Sequence, residues 1–135
     1  MFLERSRDAT WLRPQQGVAT VCIGPDDDME HTRADIRASI DAVDQGDGVV
    51  VLTDVFGATP CNVAQKLVDG LTSRLVSGIN LPMLLRTLSY RQEPLDALIS
   101  RAVTGGTQGV MQVAVTAPQN QSRRNHVKDQ HDHQQ

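Results

Sequence analysis

Aromatic residues, cysteines and long apolar runs are all scarce in this sequence, and each shortage narrows what the protein can be. Only Phe2, Trp11, Phe56 and Tyr90 are aromatic among 135 residues, so a core has to be built from aliphatic side chains. Two cysteines are too few for a disulfide framework. No apolar run approaches the roughly 20 residues of a transmembrane helix. These shortages favour one cytoplasmic domain of buried strands and covering helices.

The charge pattern argues against binding to nucleic acid or to a membrane surface. The formal net charge is −3, and the lysines and arginines are scattered along the chain. Residues 1–14 contain Glu4, Asp8 and several arginines without an apolar stretch, which is not the pattern of a secretory signal. We therefore expect no nucleic-acid partner and no direct membrane insertion. Residues 1–16 are compatible with a short amphipathic helix.

The first half of the chain alternates apolar runs with a helical pattern. Residues 17–23 predict a short buried strand that ends at Gly24-Pro25. The three aspartates at 26–28 supply capping carboxylates for a helix over about 29–43. Residues 49–52 are apolar on both faces, which predicts a second strand in the interior of a parallel sheet.

The second half repeats this alternation, with proline and glycine at the boundaries. Thr59 is a good N-cap after a loop over 53–58, and Pro60 occupies the first position of a helix that stops near Gly70. From Thr116 onward the chain is almost entirely polar, which predicts a disordered tail after a domain over 1–115. The other predicted elements are a strand over 74–77, a loop over 78–81, a helix from Pro82 to about Arg91, a helix from Glu93-Pro94 that stops at Gly105-Gly106, and a final strand over 110–115.

Strands that alternate with helices predict an α/β fold, an open and mainly parallel sheet with helices on both faces. In such sheets ligands bind beyond the carboxyl ends of the strands. Two loops are candidates, residues 54–59 and 78–81, and each leads into a helix that begins with proline. Because the free N–H groups of a helix start can hold an anion, this arrangement favours phosphate.

Three short motifs follow one another in the sequence. Residues 24–28 read GPDDD, residues 46–62 read GDGVVVLTDVFGATPCN, and residues 78–84 read GINLPML. Together they resemble the mannose-family (fructose/mannose-type) IIA domains of the bacterial phosphoenolpyruvate-dependent sugar phosphotransferase system. The resemblance covers about residues 17–115. Two loop motifs in the right order are a more specific signal than a single glycine motif.

The resemblance implies a phosphocarrier of sugar transport. A histidine in such a domain takes phosphate from the histidine phosphocarrier protein and passes it to a IIB domain, or serves as a regulatory readout. Asp54 would orient that histidine by fixing its tautomer, and Thr59 would stabilise phosphoryl oxygens. Ala58 stands where the family usually has glycine. The other residues expected to bind phosphate or a partner are Phe56, Gly57, Ala58 and Asn80.

The resemblance also implies what accompanies the domain. No metal or organic cofactor is implied. Family members are often homodimers, in some cases through exchange of the final strand, which corresponds to residues 110–115 here.

The sequence departs from the family pattern before Gly17. Family members begin with an apolar strand that ends in a histidine-glycine pair and lies inside the sheet. None of the four histidines here has that context. The resemblance therefore implies that the first strand and the phospho-acceptor histidine are absent, and that the chain as given is inactive as a phosphotransferase. A start assigned too far downstream, or a degenerate gene copy, would account for this. The histidines are His31, His126, His131 and His133.

Other interpretations remain open at this point. A degenerate IIA domain could bind phosphotransferase proteins without carrying phosphate, and a phosphate- or nucleotide-binding module is a weaker alternative because no P-loop or GxGxxG follows a strand. Asp54 could merely cap its loop, and Phe56 could simply pack down. His31 has the context of a solvated side chain, and the three histidines of the tail form only a weak metal-like pattern.

Overall fold

Helices alternate with strands along residues 17–115, the part of the chain that the computed structural model describes. This alternation confirms the α/β fold expected from the sequence. The predicted amphipathic helix over 1–16 and the predicted tail over 116–135 lie outside the described residues. In chain order the elements are α1 (Met29–Val43), β1 (Val49–Thr53), α2 (Thr59–Gln65), β2 (Ser73–Ser77), α3 (Leu81–Ser89) and α4 (Leu95–Gln108).

The two strands pair in parallel, and the pairing aligns their carboxyl ends. The register runs from Val49 opposite Ser73 to Thr53 opposite Ser77. Because side chains alternate between the faces of a strand, Val50 and Leu52 share one face of β1. They pack against a core of buried residues from β2, α3 and α4, namely Val76, Met83 and Ala102.

The α3–α4 pair packs closely because α4 carries glycines where the two helices meet. Gly105 and Gly106 were expected to end this helix, but α4 continues to Gln108 and both glycines are buried inside it. A Cβ at Gly105 would lie 2.7 Å from the Cβ of Arg86, a distance at which atoms overlap. The glycines therefore permit close helix contact, and that packing outweighs their weak helix propensity.

Asp69 organises the turn that follows α2, a helix that stops at Gln65 and not near Gly70 as predicted. Its Oδ1 accepts hydrogen bonds of 2.8 Å from the backbone N–H groups of Leu71, Thr72 and Ser73. The Thr72 hydroxyl and these N–H groups hold the pKa of the Asp69 carboxyl well below its ordinary value. A side chain that captures backbone donors in this way offers the chain an alternative to continued helix.

Two predicted strands are not formed. Residues 17–23 and 110–115 have no regular structure. Val18 is 42% exposed and Val115 is 96% exposed, whereas Val21 and Ile23 are half-buried. A strand exists only when its backbone pairs with a neighbour. Within residues 17–115 the sheet consists of β1 and β2 alone, so neither segment belongs to that sheet.

Candidate functional site

The loops that follow β1 and β2 meet at the carboxyl edge of the sheet. We call residues 54–58 the first loop and residues 78–80 the second loop. The Gly78 N–H donates to the carbonyl oxygens of Thr53 (2.9 Å) and Asp54 (2.7 Å). The Ile79 N–H donates to the Thr53 carbonyl at 2.9 Å. The structure therefore brings together the two loops that the sequence singled out.

Asp54 is the exposed carboxylate of this site. Its Oδ1 accepts a hydrogen bond of 2.8 Å from the backbone N–H of the next residue, Val55. That bond favours the ionised form and lowers the pKa of the Asp54 carboxyl below its ordinary value. The group is thus a carboxylate at neutral pH. It can accept a hydrogen bond from an N–H group such as that of an imidazole ring.

Thr59 does not cap α2, which corrects the prediction from the sequence. The N-cap is Ala58, with extended backbone (φ −73°, ψ 162°), and no side-chain hydrogen bond caps the helix. Thr59 is the first residue of the helix and is exposed. The cap position moved by one residue because Ala58 keeps the extended backbone of the loop while Thr59 is already helical. The Thr59 side chain is therefore not used to cap the helix.

The first loop is closed by a residue to which the sequence analysis gave no role. The Asn62 Nδ2 donates to the Gly57 carbonyl at 2.8 Å, and the Ala58 N–H donates to the Val55 carbonyl at 3.2 Å. Gly57 has φ +85°, a left-handed conformation that favours glycine. Asn62 ends the motif over 46–62, and an amide three residues beyond a helix start is the signal that could have identified it.

Asn80 connects the second loop to α3 and α4 by hydrogen bonds. Its Oδ1 accepts from the Met83 N–H at 2.9 Å, which makes it the N-cap of α3, and its Nδ2 donates to the Gly106 carbonyl at 3.0 Å. The expectation that Asn80 binds phosphate or a partner stays a prediction. Its amide is already engaged on both sides within the domain.

Apolar side chains are exposed on the first loop and directly after the second loop. Phe56 at the tip of the first loop is 79% exposed and its neighbour Val55 is 60% exposed. Leu81, directly after the second loop, is 65% exposed. Phe56 does not pack down onto the domain, and the two loops together present an exposed apolar rim.

Thr53 lies beneath the meeting point of the loops. The residue is 4% exposed, and its Oγ1 is buried with no hydrogen-bond partner among residues 17–115. An unpaired buried hydroxyl is a cost to the folded state. No pattern in the sequence indicates this unpaired hydroxyl, because threonine is common in strands.

The outer edge of β2 is flanked by a groove on each face. The larger groove, of about 420 Å³, lies between β2 and α2 and is lined by Phe56, Val68 and Leu75 among others. The smaller one, of about 250 Å³, lies between β2 and α4, with Val103 and Val110 in its wall. Both grooves border the strand edge that β1 does not occupy.

The remaining candidates do not join the site. His31 lies in the first turn of α1, where its exposed ring is 3.6 Å from the Asp35 carboxylate, in agreement with the solvated side chain expected from the sequence. Residues 17–115 contain no group of three histidine, cysteine, aspartate or glutamate side chains able to hold a metal. Over the same residues, no helix has both the length and the apolar character to cross a bilayer.

Known proteins resemble this chain in sequence and in fold. A family model described as the PTS system fructose IIA component matches residues 9–103. The mannose-specific EIIAB component of the same system from Escherichia coli K12 is 31% identical over 102 residues, 73% of this chain and 32% of that protein. The corresponding component of Shigella flexneri gives the same values. The chain thus spans about a third of the length of these relatives.

A solved structure supports the same relationship. The phosphotransferase system component EIIA from Streptococcus agalactiae superimposes with a TM-score of 0.57 and 25% sequence identity, over 65% of this chain and 69% of that one. The resemblance carried by the three sequence motifs is thereby confirmed. Since the family model matches well over half of its residues, the chain belongs to the PTS fructose IIA component family.

Proposed function

We propose that the protein is a IIA phosphocarrier of a sugar phosphotransferase system. It accepts a phosphoryl group on a histidine from the histidine phosphocarrier protein, then passes the group to a IIB domain or serves as a regulatory readout. The observation that carries this proposal is the exposed Asp54 carboxylate at the end of β1, held ionised by the Val55 N–H. We place the domain in the cytoplasm, where the phosphocarrier protein acts.

The transfer step needs an oriented imidazole. The Asp54 carboxylate accepts the N–H of one ring nitrogen, which leaves the lone pair of the other nitrogen directed at phosphorus. The new N–P bond forms as the N–P bond of the donor's phosphohistidine breaks, and the donor imidazole leaves. Because Asp54 holds the imidazolium-like charge that develops on the ring, its removal slows transfer without disturbing the fold.

The first loop is the proposed phosphate-binding element. Thr59 is not used as a cap, so its hydroxyl can reach phosphoryl oxygens beside the backbone of Gly57 and Ala58. The loop is kept in a fixed curve by the hydrogen bond from Asn62 to Gly57. Asn80 contributes through the second loop, which supports the Asp54 carbonyl through the Gly78 N–H.

The apolar rim is the proposed docking surface for partner proteins. Phe56 exposes 79% of its surface, which is costly unless a partner covers it. Aromatic side chains, phenylalanine among them, are enriched at protein–protein interfaces. We assign this rim to the histidine phosphocarrier protein and to the IIB component or regulatory partner.

A homodimer is proposed from the unpaired edge of β2. Residues 110–115 have no regular structure and are apolar except for Gln112, and Val113 is 82% exposed. A strand added to β2 would place alternate side chains in the two grooves.

The homodimer proposal is tested by measuring the molar mass of the protein in solution by light scattering. Val113→Asp is expected to yield monomers, whereas Val18→Asp, a matched change at another exposed valine, is expected to leave the dimer intact. A monomeric parent protein contradicts this.

The phosphocarrier proposal is tested by phosphoryl transfer in solution. The protein is mixed with phosphorylated histidine phosphocarrier protein, and its intact mass is followed for the gain of one phosphoryl group. The 135-residue chain and a form with an added N-terminal strand ending in histidine-glycine are compared. Transfer to the second form alone supports the assignment and the expected position of the acceptor. No transfer to either form contradicts the proposal.

A second candidate function is binding without phosphoryl transfer. The specific observation behind it is that His31, the one histidine within residues 17–115, lies in the first turn of α1 with its ring near Asp35. Such a domain would dock phosphotransferase proteins on the apolar rim and report their state. Saturable binding of the phosphocarrier protein that Phe56→Ala weakens, with no phosphate gained by either form, would favour this second function.

A further inference from the structure

Asn80 joins three parts of the domain through one side chain. Its Oδ1 accepts from the Met83 N–H at the start of α3, and its Nδ2 donates to the Gly106 carbonyl near the end of α4. The two partners require this orientation of the amide, because a backbone N–H needs an oxygen and a carbonyl needs an N–H.

The bond from Asn80 pairs the Gly106 carbonyl, which has no hydrogen-bond partner within α4. The last carbonyls of a helix have no partner within it. Residue 110 would supply the N–H for Gly106 in a continued helix, but the Val110 N–H donates to Thr107 at 3.4 Å. Asn80 therefore caps the beginning of α3 and the end of α4 together.

This double cap depends on the absence of a side chain at position 106. A Cβ on Gly106 would lie 3.3 Å from the Cβ of Met83, which is tighter than ordinary contact, and 3.6 Å from the Asn80 Oδ1. Glycine thus lets α4 approach the first turn of α3 closely enough for the amide to reach its backbone.

The same loop supports the backbone on which Asp54 stands. Two residues before Asn80, the Gly78 N–H donates to the carbonyls of Thr53 and Asp54, and the Ile79 N–H donates to Thr53. A loop tied to α4 at Asn80 and to β1 at Gly78 cannot shift without moving one of those anchors.

We propose that Asn80 is a positioning residue. Its amide uses the C-terminal turn of α4 as a fixed support for the second loop and, through Gly78, for the backbone of Asp54. The part of this proposal that concerns phosphoryl transfer rests on the proposed function. The mechanical part, that the amide holds the second loop, stands apart from it.

The test uses two variants that keep the cap on α3 and lose the bond to α4. Asn80→Asp retains an acceptor for the Met83 N–H but places a carboxylate oxygen next to the Gly106 carbonyl oxygen, and two acceptors cannot form a hydrogen bond. Asn80→Ser is also a good N-cap but too short to reach Gly106, so it removes the donor without adding charge. The matched control is Thr107→Val, which deletes the 2.7 Å bond from the Thr107 hydroxyl to the Val103 carbonyl in the same turn of α4.

The first measurement is native-state amide exchange of the full 135-residue chain. Both Asn80 variants are expected to raise the exchange rates of the Gly78 and Ile79 N–H groups roughly 10-fold or more, while Thr107→Val stays within about 2-fold of the parent. Unchanged rates in both variants overturn the proposal, and so does an equal increase in the control.

The second measurement is phosphoryl transfer in a form that carries an acceptor histidine. Asn80→Ser is expected to lower kcat about 10-fold while the KM for the phosphocarrier protein is unchanged, because the docking rim is untouched. An unchanged kcat beside raised exchange rates overturns the positioning of Asp54. A parent protein that neither gains phosphate nor binds the carrier overturns the proposed function, and the exchange result alone then decides the mechanical part.

Discussion

The first loop exposes apolar side chains to solvent, whereas the second loop is hydrogen-bonded to neighbouring elements at both of its ends. Phe56 and Val55 of the first loop face solvent, and α2 begins without a side-chain cap. In the second loop Asn80 caps α3 and bonds to α4, and Gly78 bonds to the end of β1. Both loops follow parallel strands and precede a helix with proline near its start, so sequence pattern alone does not separate them.

The difference indicates a division of labour between the loops. Polar groups that are already paired within the domain have little left to offer a ligand, while exposed polar groups can exchange water for a ligand. The second loop therefore belongs to the scaffold. The first loop, with Asp54 at its start, carries the proposed chemistry. Variants in the two loops should accordingly affect different properties.

Asp54→Asn is expected to have the largest effect, and on activity only. The amide presents the wrong group to the imidazole, so phosphoryl transfer in a histidine-bearing form should fall on the order of 10²–10⁴-fold. The Asp54 side chain is exposed, so unfolding by urea should be almost unchanged. Transfer at the parental rate would show that the first loop does not carry the chemistry.

Substitution of one glycine near each loop should separate packing from backbone strain. A Cβ at Gly109, after α4, would lie 2.3 Å from Pro82 beside the second loop, and Gly109→Ala is expected to cost about 3 kcal/mol through overpacking. Gly57→Ala meets no atom within 4 Å but has φ +85°, so a cost of about 1 kcal/mol is expected from strain. Urea denaturation measures both, and the reverse order of costs would contradict the comparison.

Thr53→Val tests the buried hydroxyl below both loops. Valine has nearly the same shape and suits a strand, and it removes an oxygen with no partner among residues 17–115. We expect a gain of about 1 kcal/mol in the free energy of unfolding. Thr53→Ser, which keeps the hydroxyl, is the control. A loss of stability in the valine variant would mean that this hydroxyl has a partner beyond the described residues.

The smallest effect should be the pH response of Asp54. Its pKa is lowered in the folded state by the bond from Val55, so its contribution to stability is present above the unfolded pKa of about 3.9. The contribution is lost as the pH falls through the folded pKa. The carboxyl ¹³C signal should titrate below the ordinary aspartate range and stay constant between about pH 5 and 8. A midpoint above that range would contradict the bond to Val55.

Local patterns in the sequence predicted correctly those elements whose conformation depends on residues close together in the chain. The helix over 29–43 and its aspartate cap agree with α1 and Asp28. The strands predicted over 49–52 and 74–77 are each one residue longer in the structure, as β1 and β2. Capping, proline position and apolar periodicity act within a few residues, so they can be read without knowledge of the fold.

Predictions failed where contacts with a distant part of the chain determine the local conformation. Glycines at 105–106 were taken to end a helix, but contact with α3 keeps them inside α4. The segments at 17–23 and 110–115 have the composition of strands but do not join the sheet of β1 and β2. Thr59 lost its expected cap role to Ala58. In each case a neighbour in space, or the path of the loop, outweighed local preference.

The sequence by itself determined the family, the order of the elements and the two loops at the end of the sheet, because motifs and apolar periodicity are local properties. Only the tertiary structure decided which loop is exposed and which is anchored. That distinction depends on the Asn80 amide meeting a carbonyl 26 residues further along the chain. A hydrogen bond of that kind exists only once α4 has packed against α3, and no local pattern in the sequence records it.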